Sequence, residues 1–478
     1  MRYLFPVITI LFILSGCMKV GPDYHRPDTG IQVPAHYEHG PAELVMPRPD
    51  DRWWEVYGEV EINRLVDEVF RNNLDIKKAT AGILEVRSKF VQARADRFPS
   101  LSLQGQGERQ RLPKTVSMPN FSSKREIESY NLSFPASFEV DLWGRLARGQ
   151  EAARADLLQA VENRRTVAQT VVAETISLYL LMESLERRIR IALDKIESYG
   201  RSLAFVEGRY KRGLTSILDV MQARRALAQA ESVLPSLRQD LGITQQKLSV
   251  LAGRYPRTRP PRCQPEDYYK RLQPVPPGLP SGLLLRRPDI RAAEAGLTAL
   301  NARVGAAKAS RFPSISLTGT FGYSSDELDR LFQPESELWD IALGGVQSLF
   351  DAGKLKAGQR AAEARYQQGV AEYAKTVLTA FSEAEGALLT RKEQLDRRDR
   401  VLNHLMEARR TQEVAENRYK RGLADYLTVL VAQQARFKAE EDLVLVDLAI
   451  LSNRATLHRA LGGGWGEGSE ELRVKRRK

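Results

Sequence analysis

Two short segments of this chain occur twice in the same order, so the fold must offer each pair of copies equivalent settings. Arg97-Phe98-Pro99-Ser100-Leu101-Ser102-Leu103 returns as Arg311-Phe312-Pro313-Ser314-Ile315-Ser316-Leu317, and Arg209-Tyr210-Lys211-Arg212-Gly213-Leu214 returns unchanged from Arg418 to Leu423. Between them Gly144, Leu146, Gly149 and Gln150 match Gly353, Leu355, Gly358 and Gln359, and Leu74-Asp75-Ile76 has a weaker echo in Pro288-Asp289-Ile290. The period is far too long for a solenoid. The chain reads as two homologous halves, 61–253 and 284–462, each a helix, a β-hairpin and a long helical hairpin. A proline-rich linker at 254–283, without helical periodicity, joins them.

Within each half a period of two gives way to helical spacing. From Tyr130, apolar Leu132, Phe134, Ala136, Phe138 and Val140 alternate with Asn131, Ser133, Ser137, Glu139 and Asp141, giving a strand one oily face and one wet face. Leu101 and Leu103 oppose Ser102, Gln104 and Gln106 in the same way, and Ile315, Leu317, Phe321 and Tyr323 oppose Ser316, Thr318 and Thr320. A fourth run begins with Trp339, Ile341 and Leu343. Pro135 lacks the N–H a ladder needs, so a bulge or bend is expected there. Alternation of this kind also suits a soluble sheet with one solvated face.

The helical parts are longer than an ordinary globular helix. Ala168, Val171, Leu178, Met182, Leu185 and Ile189 open a seam that continues through Tyr199, Val206 and Tyr210 at alternating spacings of three and four, broken chemically only by Thr175. That is a coiled-coil register. A helix from Gly144 to Tyr210 would reach about 100 Å at 1.5 Å per residue. The second half is less regular, with Phe381, Leu388, Leu395 and Leu402 seven apart. Each long helix ends at its Arg-Tyr-Lys-Arg-Gly-Leu copy, where Gly213 or Gly422 permits a turn that a bulkier residue resists.

The first residues indicate export. Arg2 precedes an apolar run from Tyr3 to Leu14, shorter than the ~20 residues a membrane-spanning helix needs. Leu14-Ser15-Gly16-Cys17 follows and resembles a bacterial lipobox. Residues 1–16 read as a lipoprotein signal peptide, with Cys17 carrying diacylglycerol and an N-acyl chain at the head of an extended, lipid-anchored segment, 17–60. By resemblance to bacterial lipoproteins, Met18 in place of Asp favours the outer membrane. Cys263 would be the remaining thiol, so no intrachain disulfide is expected in the mature protein.

In an exported lipoprotein the alternating segments gain a second reading. Strands of about 10 residues with an apolar band and aromatics near their ends, here Tyr130, Trp143 and Trp339, resemble outer-membrane barrel hairpins. Four strands cannot close a barrel, and an open edge in lipid is excluded. Several copies must therefore share one wall.

Other classes fit less well. The net charge is +12, but the 72 basic residues are spread along helical segments without interleaved stacking aromatics, which argues against nucleic-acid binding. The dense basic run, Arg473 to Lys478, lies in a flexible tail, 463–478. An exported hydrolase lacks its chemistry: His36 and His39 lie in a proline-rich stretch, and His404 and His458 are isolated on helices and expected at the surface. No His-Glu-x-x-His or Cys-x-x-Cys occurs. No catalytic residue, metal or other cofactor is expected.

Three motifs resemble a known family. Gly21-Pro22-Asp23-Tyr24, Asp141-Leu142-Trp143-Gly144-Arg145 and Leu279-Pro280-Ser281-Gly282 running on through Arg287-Pro288-Asp289-Ile290-Arg291 to Glu294 are similar to TolC-like outer-membrane efflux proteins. The likeness is to the lipoprotein branch called NodT-type factors of RND efflux systems, and it covers nearly the whole mature chain. It implies a mainly α fold with a transmembrane β-barrel: a homotrimer with one shared 12-stranded barrel in outer-membrane lipid, continued by a helical coiled-coil tunnel. It implies a passive duct exporting small toxic compounds, whose partners are a periplasmic membrane-fusion adaptor and a proton-driven inner-membrane RND pump. Arg209, Gly213, Leu214, Arg418, Gly422 and Leu423 would form the tips that meet the adaptor, and Asp425, Leu427 and Val431 the periplasmic constriction. Many members carry an aspartate where Val431 stands, so a more apolar constriction is expected. A type I duct for polypeptides would need the same wide tunnel and stays open as an alternative.

Overall fold

The computed structural model describes residues 19–40, 52–111, 113, 126–261 and 282–463. The apolar leader, Cys17, Met18, Cys263 and the basic tail lie outside the described residues. After a short 3-10 turn at Trp53–Tyr57 come α1 (Val60–Asn72), α2 (Leu74–Ala95), β1 (Ser100–Leu101), β2 (Gln104–Arg111), β3 (Glu126–Val140), α3 (Arg145–Lys211) and α4 (Ile217–Leu251). Then follow a single turn α5 (Leu283–Arg286), α6 (Pro288–Ala309), β4 (Ser314–Ser325), β5 (Glu337–Val346), α7 (Lys354–Lys420) and α8 (Tyr426–Ala460). The internal repeat has a structural counterpart. Helices α3 and α7 have 67 residues each, α4 and α8 have 35 each, and α2 and α6 have 22 each.

Contacts divide the chain into two compact units that both draw on both halves. Of the described residues, one unit holds those within 1–29, 82–161 and 292–374, including the described strands; the other holds those within 30–81, 162–291 and 375–478.

In the strand-bearing unit the order is β1 and β2, then β3, β4 and β5, all antiparallel. The expected bulge at Pro135 does not form. Leu101 pairs with Ala136 and Gln104 with Ser133, one register on both sides of the gap between β1 and β2. The ladder to β4 passes Pro135, opposite Thr320, without a slip. In an antiparallel pair a residue turns both polar groups to one neighbour. The Pro135 carbonyl accepts from the Ser102 N–H (3.1 Å), so its missing donor faces the β1–β2 side and the β4 ladder loses nothing.

The same unit shows why the repeated motifs travel together. Arg97 donates to Gln150 (2.7 Å) and Arg311 donates to Gln359 (2.8 Å), one bond made in each half. Asp141 accepts from the backbone N–H groups of Leu146 and Ala147, and Asp351 from those of Gly353 and Leu355, so each carboxylate satisfies free donors where a long helix begins. Trp143 stacks on Phe312 and donates to the Pro313 carbonyl (2.8 Å), which ties the first half's motif to the second's. An extended strap at the N-terminus packs here too. Arg148, 1% exposed, donates to the Gly21 carbonyl and the Asp23 carboxylate, and Asn301 donates to the Pro22 carbonyl. Gly21 has φ +103° and a Cβ there would lie 2.5 Å from the Gly305 Cα, so no side chain fits.

In the helical unit the predicted seam is the core. Ala168, Val171, Thr175, Met182, Leu185, Ile189, Ala192, Tyr199 and Val206 are buried, while Tyr210 at the end of the run is exposed. Thr175 satisfies its hydroxyl on the Val171 carbonyl (2.7 Å). The Arg287-Pro288-Asp289 motif is a buried ionic hub: Arg287 donates to Asp289, Glu383 (2.8 Å) and the Ala460 carbonyl (3.0 Å). His458 is not a surface histidine. It stacks on Trp53 (4.8 Å between rings), and burial pulls its pKa down to about 3. The covering tryptophan is some four hundred residues away in sequence, beyond any local pattern.

One buried group works against the fold at neutral pH. Glu183 is 3% exposed; burial, then the nearby Glu59 charge, pushes its pKa up to about 7. A folded pKa above the unfolded one gives stability that is full below about pH 4.5 and lost as pH rises through 7. Glu183→Gln should therefore stabilise the chain by about 3 kcal/mol at pH 8 and hardly at all at pH 4, read as the difference in melting temperature between the two pH values.

Candidate functional site

Cross-strand partners share a face, so the register assigns every strand side chain to one side of the sheet. One face carries Leu101, Leu132, Phe134, Phe138, Leu317, Phe321, Trp339, Ile341 and Leu343, with Phe134 opposite Phe321 and Phe321 opposite Trp339. The other carries Gln104, Gln106, Asn131, Ser133, Ser137, Thr318, Thr320 and Asp340. The apolar face is open: Trp339, Ile341 and Leu343 are 72–74% exposed. A contiguous apolar surface of this extent calls for a covering phase or partner. Among the described residues both sheet edges, β1–β2 and β5, have no neighbour within the chain. Among the described residues no helix is long and apolar enough to cross a membrane.

The helical unit carries the other set of predicted site residues, at two turns built alike. The Leu214 N–H donates to the Arg209 carbonyl and the Gly213 N–H to the Tyr210 carbonyl; Leu423 and Gly422 repeat this with Arg418 and Tyr419. Gly213 (φ +71°) and Gly422 (φ +77°) take the left-handed conformation that this pair of bonds requires. The return helices are capped by different side chains: Ser216 accepts from the Leu218 N–H, and Asp425 from the Thr428 N–H (2.8 Å) and hydroxyl.

Identical hexapeptides end in different surroundings. Tyr210 is 44% exposed and Tyr419 is 6% exposed. Arg209 lies over the Tyr419 ring (5.0 Å), with Phe205 edge-on to it and Tyr426 tilted against it. The first turn thus covers the second, and Arg209 is held by a cation–π contact, while Arg418 donates to its own turn's Leu423 carbonyl (3.3 Å). Leu214, Ile217, Leu218 and Met221 form an exposed apolar stripe at helical spacing on the first hairpin, and Leu423, Leu427 and Val431 form one on the second. Ile217, Met221 and the Tyr419 stack were not singled out from sequence, although the helical spacing of Ile217 and Met221 was readable.

Asp425 is exposed, as Leu427 and Val431 are. Its carboxylate is the helix cap, and the Thr428 hydroxyl and N–H hold its pKa below the usual carboxylate range.

The outer membrane efflux protein family matches residues 65–254 and 279–463. The chain belongs to this family. The solvent efflux pump outer membrane protein SrpC of Pseudomonas putida is 33% identical over 464 residues, covering 95% of this chain and 97% of that protein. The probable outer membrane lipoprotein SilC of Salmonella typhimurium is 31% identical over 471 residues, covering 96% and 98%. The solved outer-membrane channel OprN superposes with a TM-score of 0.85 at 27% identity, over 94% of this chain and 99% of that one. This outer membrane efflux protein accordingly has the TolC-like fold, resides in the outer membrane and serves efflux across it.

Capping gives Asp425 a testable role. Asp425→Ala should loosen the second turn by about 1 kcal/mol and Asp425→Asn, a good cap, by far less. Trypsin cleavage after Arg421 should rise roughly 5-fold in the alanine variant and stay near wild type in the asparagine variant.

Proposed function

We propose that three copies of this chain form one duct: a 12-stranded barrel in the outer membrane, continued by a tunnel of the long helices, through which small toxic compounds leave the periplasm. One observation carries this reading. Among the described residues the sheet is four strands wide with an apolar face and two open edges, whereas the smallest membrane barrels have about 8 strands. Chains must be pooled until no edge faces hydrocarbon.

In this reading Cys17 carries the lipid anchor, adding acyl chains to the hold the barrel has on the bilayer. The two turns meet a periplasmic adaptor, which couples them to an inner-membrane pump that uses protons. Their exposed leucines, with Lys211, Arg212, Lys420 and Arg421 around them, offer an apolar centre with a basic rim, suited to an adaptor tip with apolar and acidic groups. Leu427 and Val431 narrow the tunnel by bulk, and with valine at 431 the constriction is more apolar than one with aspartate there. The duct is passive: it holds no cofactor and catalyses no reaction, and the pump supplies the work.

Deleting the chain from its host should raise sensitivity to dyes, detergents and organic solvents several-fold while the secreted proteins remain unchanged. Loss of a secreted polypeptide with unchanged drug sensitivity would favour the protein-secretion duct instead.

A further inference from the structure

The open edges of the sheet repeat edges that are already paired, and the repeat carries their register with it. Leu101 and Ile315 occupy the same place in the Arg-Phe-Pro-Ser motif, so their hairpin partners, Ala136 and Gly345, are equivalent too. Moving outward along the strands matches Phe134 with Leu343, Leu132 with Ile341 and Tyr130 with Trp339, apolar or aromatic with its like at each step. In the ladder where the halves meet, Phe134 of β3 faces Phe321 of β4 and Ser133 faces Gly322. Exchanging each strand for its equivalent turns this β3–β4 ladder into one between β5 and β1–β2. Those are opposite margins of one sheet, so the second strand must come from another copy.

We propose that β5 of one copy pairs antiparallel with the β1–β2 edge of the next in this inherited register. Leu343 then lies opposite Gly107 of the next copy and Gly345 opposite its Gly105; on the polar face Ala342 lies opposite Glu108 and Gly344 opposite Gln106. The inference rests on the shared-barrel reading and adds to it which residues meet.

Three observations favour the inherited register. It keeps apolar side chains on one face across the joint, which a slip of one residue would reverse. It accounts for exposure: Leu343 is 74% exposed where its equivalent Phe134, flanked on both sides, is 40%, and Leu103 is 63% exposed against 41% for Leu317. It also uses the glycines. A Cβ on Gly107 would lie 3.4 Å from the Tyr130 ring and one on Gly105 3.7 Å from Leu132. Those large neighbours lean over the glycines from one flank, and an incoming Leu343 can do so from the other.

Cysteine pairs test the register. Ser133 and Gly322 form a non-hydrogen-bonded pair, since the Pro135 carbonyl two residues on faces Ser102 instead. Ala342 and Glu108 inherit that geometry, with Cα atoms about 4.5 Å apart, inside disulfide range, whereas partners two residues off lie about 7–8 Å away, outside it. In a Cys263→Ser background, Ala342→Cys with Glu108→Cys should, on adding a mild oxidant to outer membranes, give two- and three-chain bands on denaturing gels. The yield should be several-fold above Ala342→Cys with Gln106→Cys or with Gln110→Cys, and single-cysteine chains should give none. A second pair, Gly344→Cys with Gln106→Cys, covers failure of the first to assemble. Equal or greater yield from the offset pairs, or no bond in membranes that still hold trimers on native gels, would overturn the register while leaving the duct. A wild-type chain that runs as a monomer there would overturn both.

Discussion

No backbone N–H or carbonyl can be left bare in hydrocarbon, and the rest of this molecule follows from that constraint. The chain supplies an antiparallel sheet four strands wide with one face open and apolar. Such a sheet is unstable in lipid alone and prone to aggregate in water. Closing it requires copies about a common axis, and in the proposed duct the helical hairpins of those copies make a continuous wall. In that reading oligomerisation and transport come from one cause.

Duplication supplies that wall economically, but the copies are not interchangeable. Paired bonds such as Arg97–Gln150 and Arg311–Gln359 keep the halves alike where strands pass into helices. At the turns they diverge: Tyr419 is covered by Arg209 and Phe205, while its twin Tyr210 points to solvent. One sequence thus gives a turn that packs on its neighbour and another that presents itself. The caps diverge too, Ser216 in one half and Asp425 in the other. An identical motif fixes the local backbone, and surroundings far along the chain decide what the side chains do.

Much of this was legible in the residues themselves. The period-two runs named the strand faces, the seam from Ala168 to Val206 named the buried stripe, and Gly213 and Gly422 named the turns, because each is a local consequence of spacing or of a missing Cβ. What could not be read were contacts across hundreds of residues: His458 under Trp53, Arg287 between Asp289 and Glu383, the strap held by Arg148. At Pro135 the pairing is interrupted, between β1 and β2, but without the expected bulge. The proline's missing donor matters only toward one neighbour, and which neighbour that is depends on the register. That Asp425 also caps its helix was not read, although a helix start draws a nearby carboxylate to its free N–H groups.

The most direct measurement is amide hydrogen exchange of the protein in outer membranes, resolved to the two sheet margins. If copies close one barrel, the outward-pointing amides of β5 and of β1–β2 should exchange as slowly as those between β3 and β4, over hours or longer. Exchange of those marginal amides within seconds, with β3 and β4 still protected, would mean the edges are bare and the shared barrel does not exist.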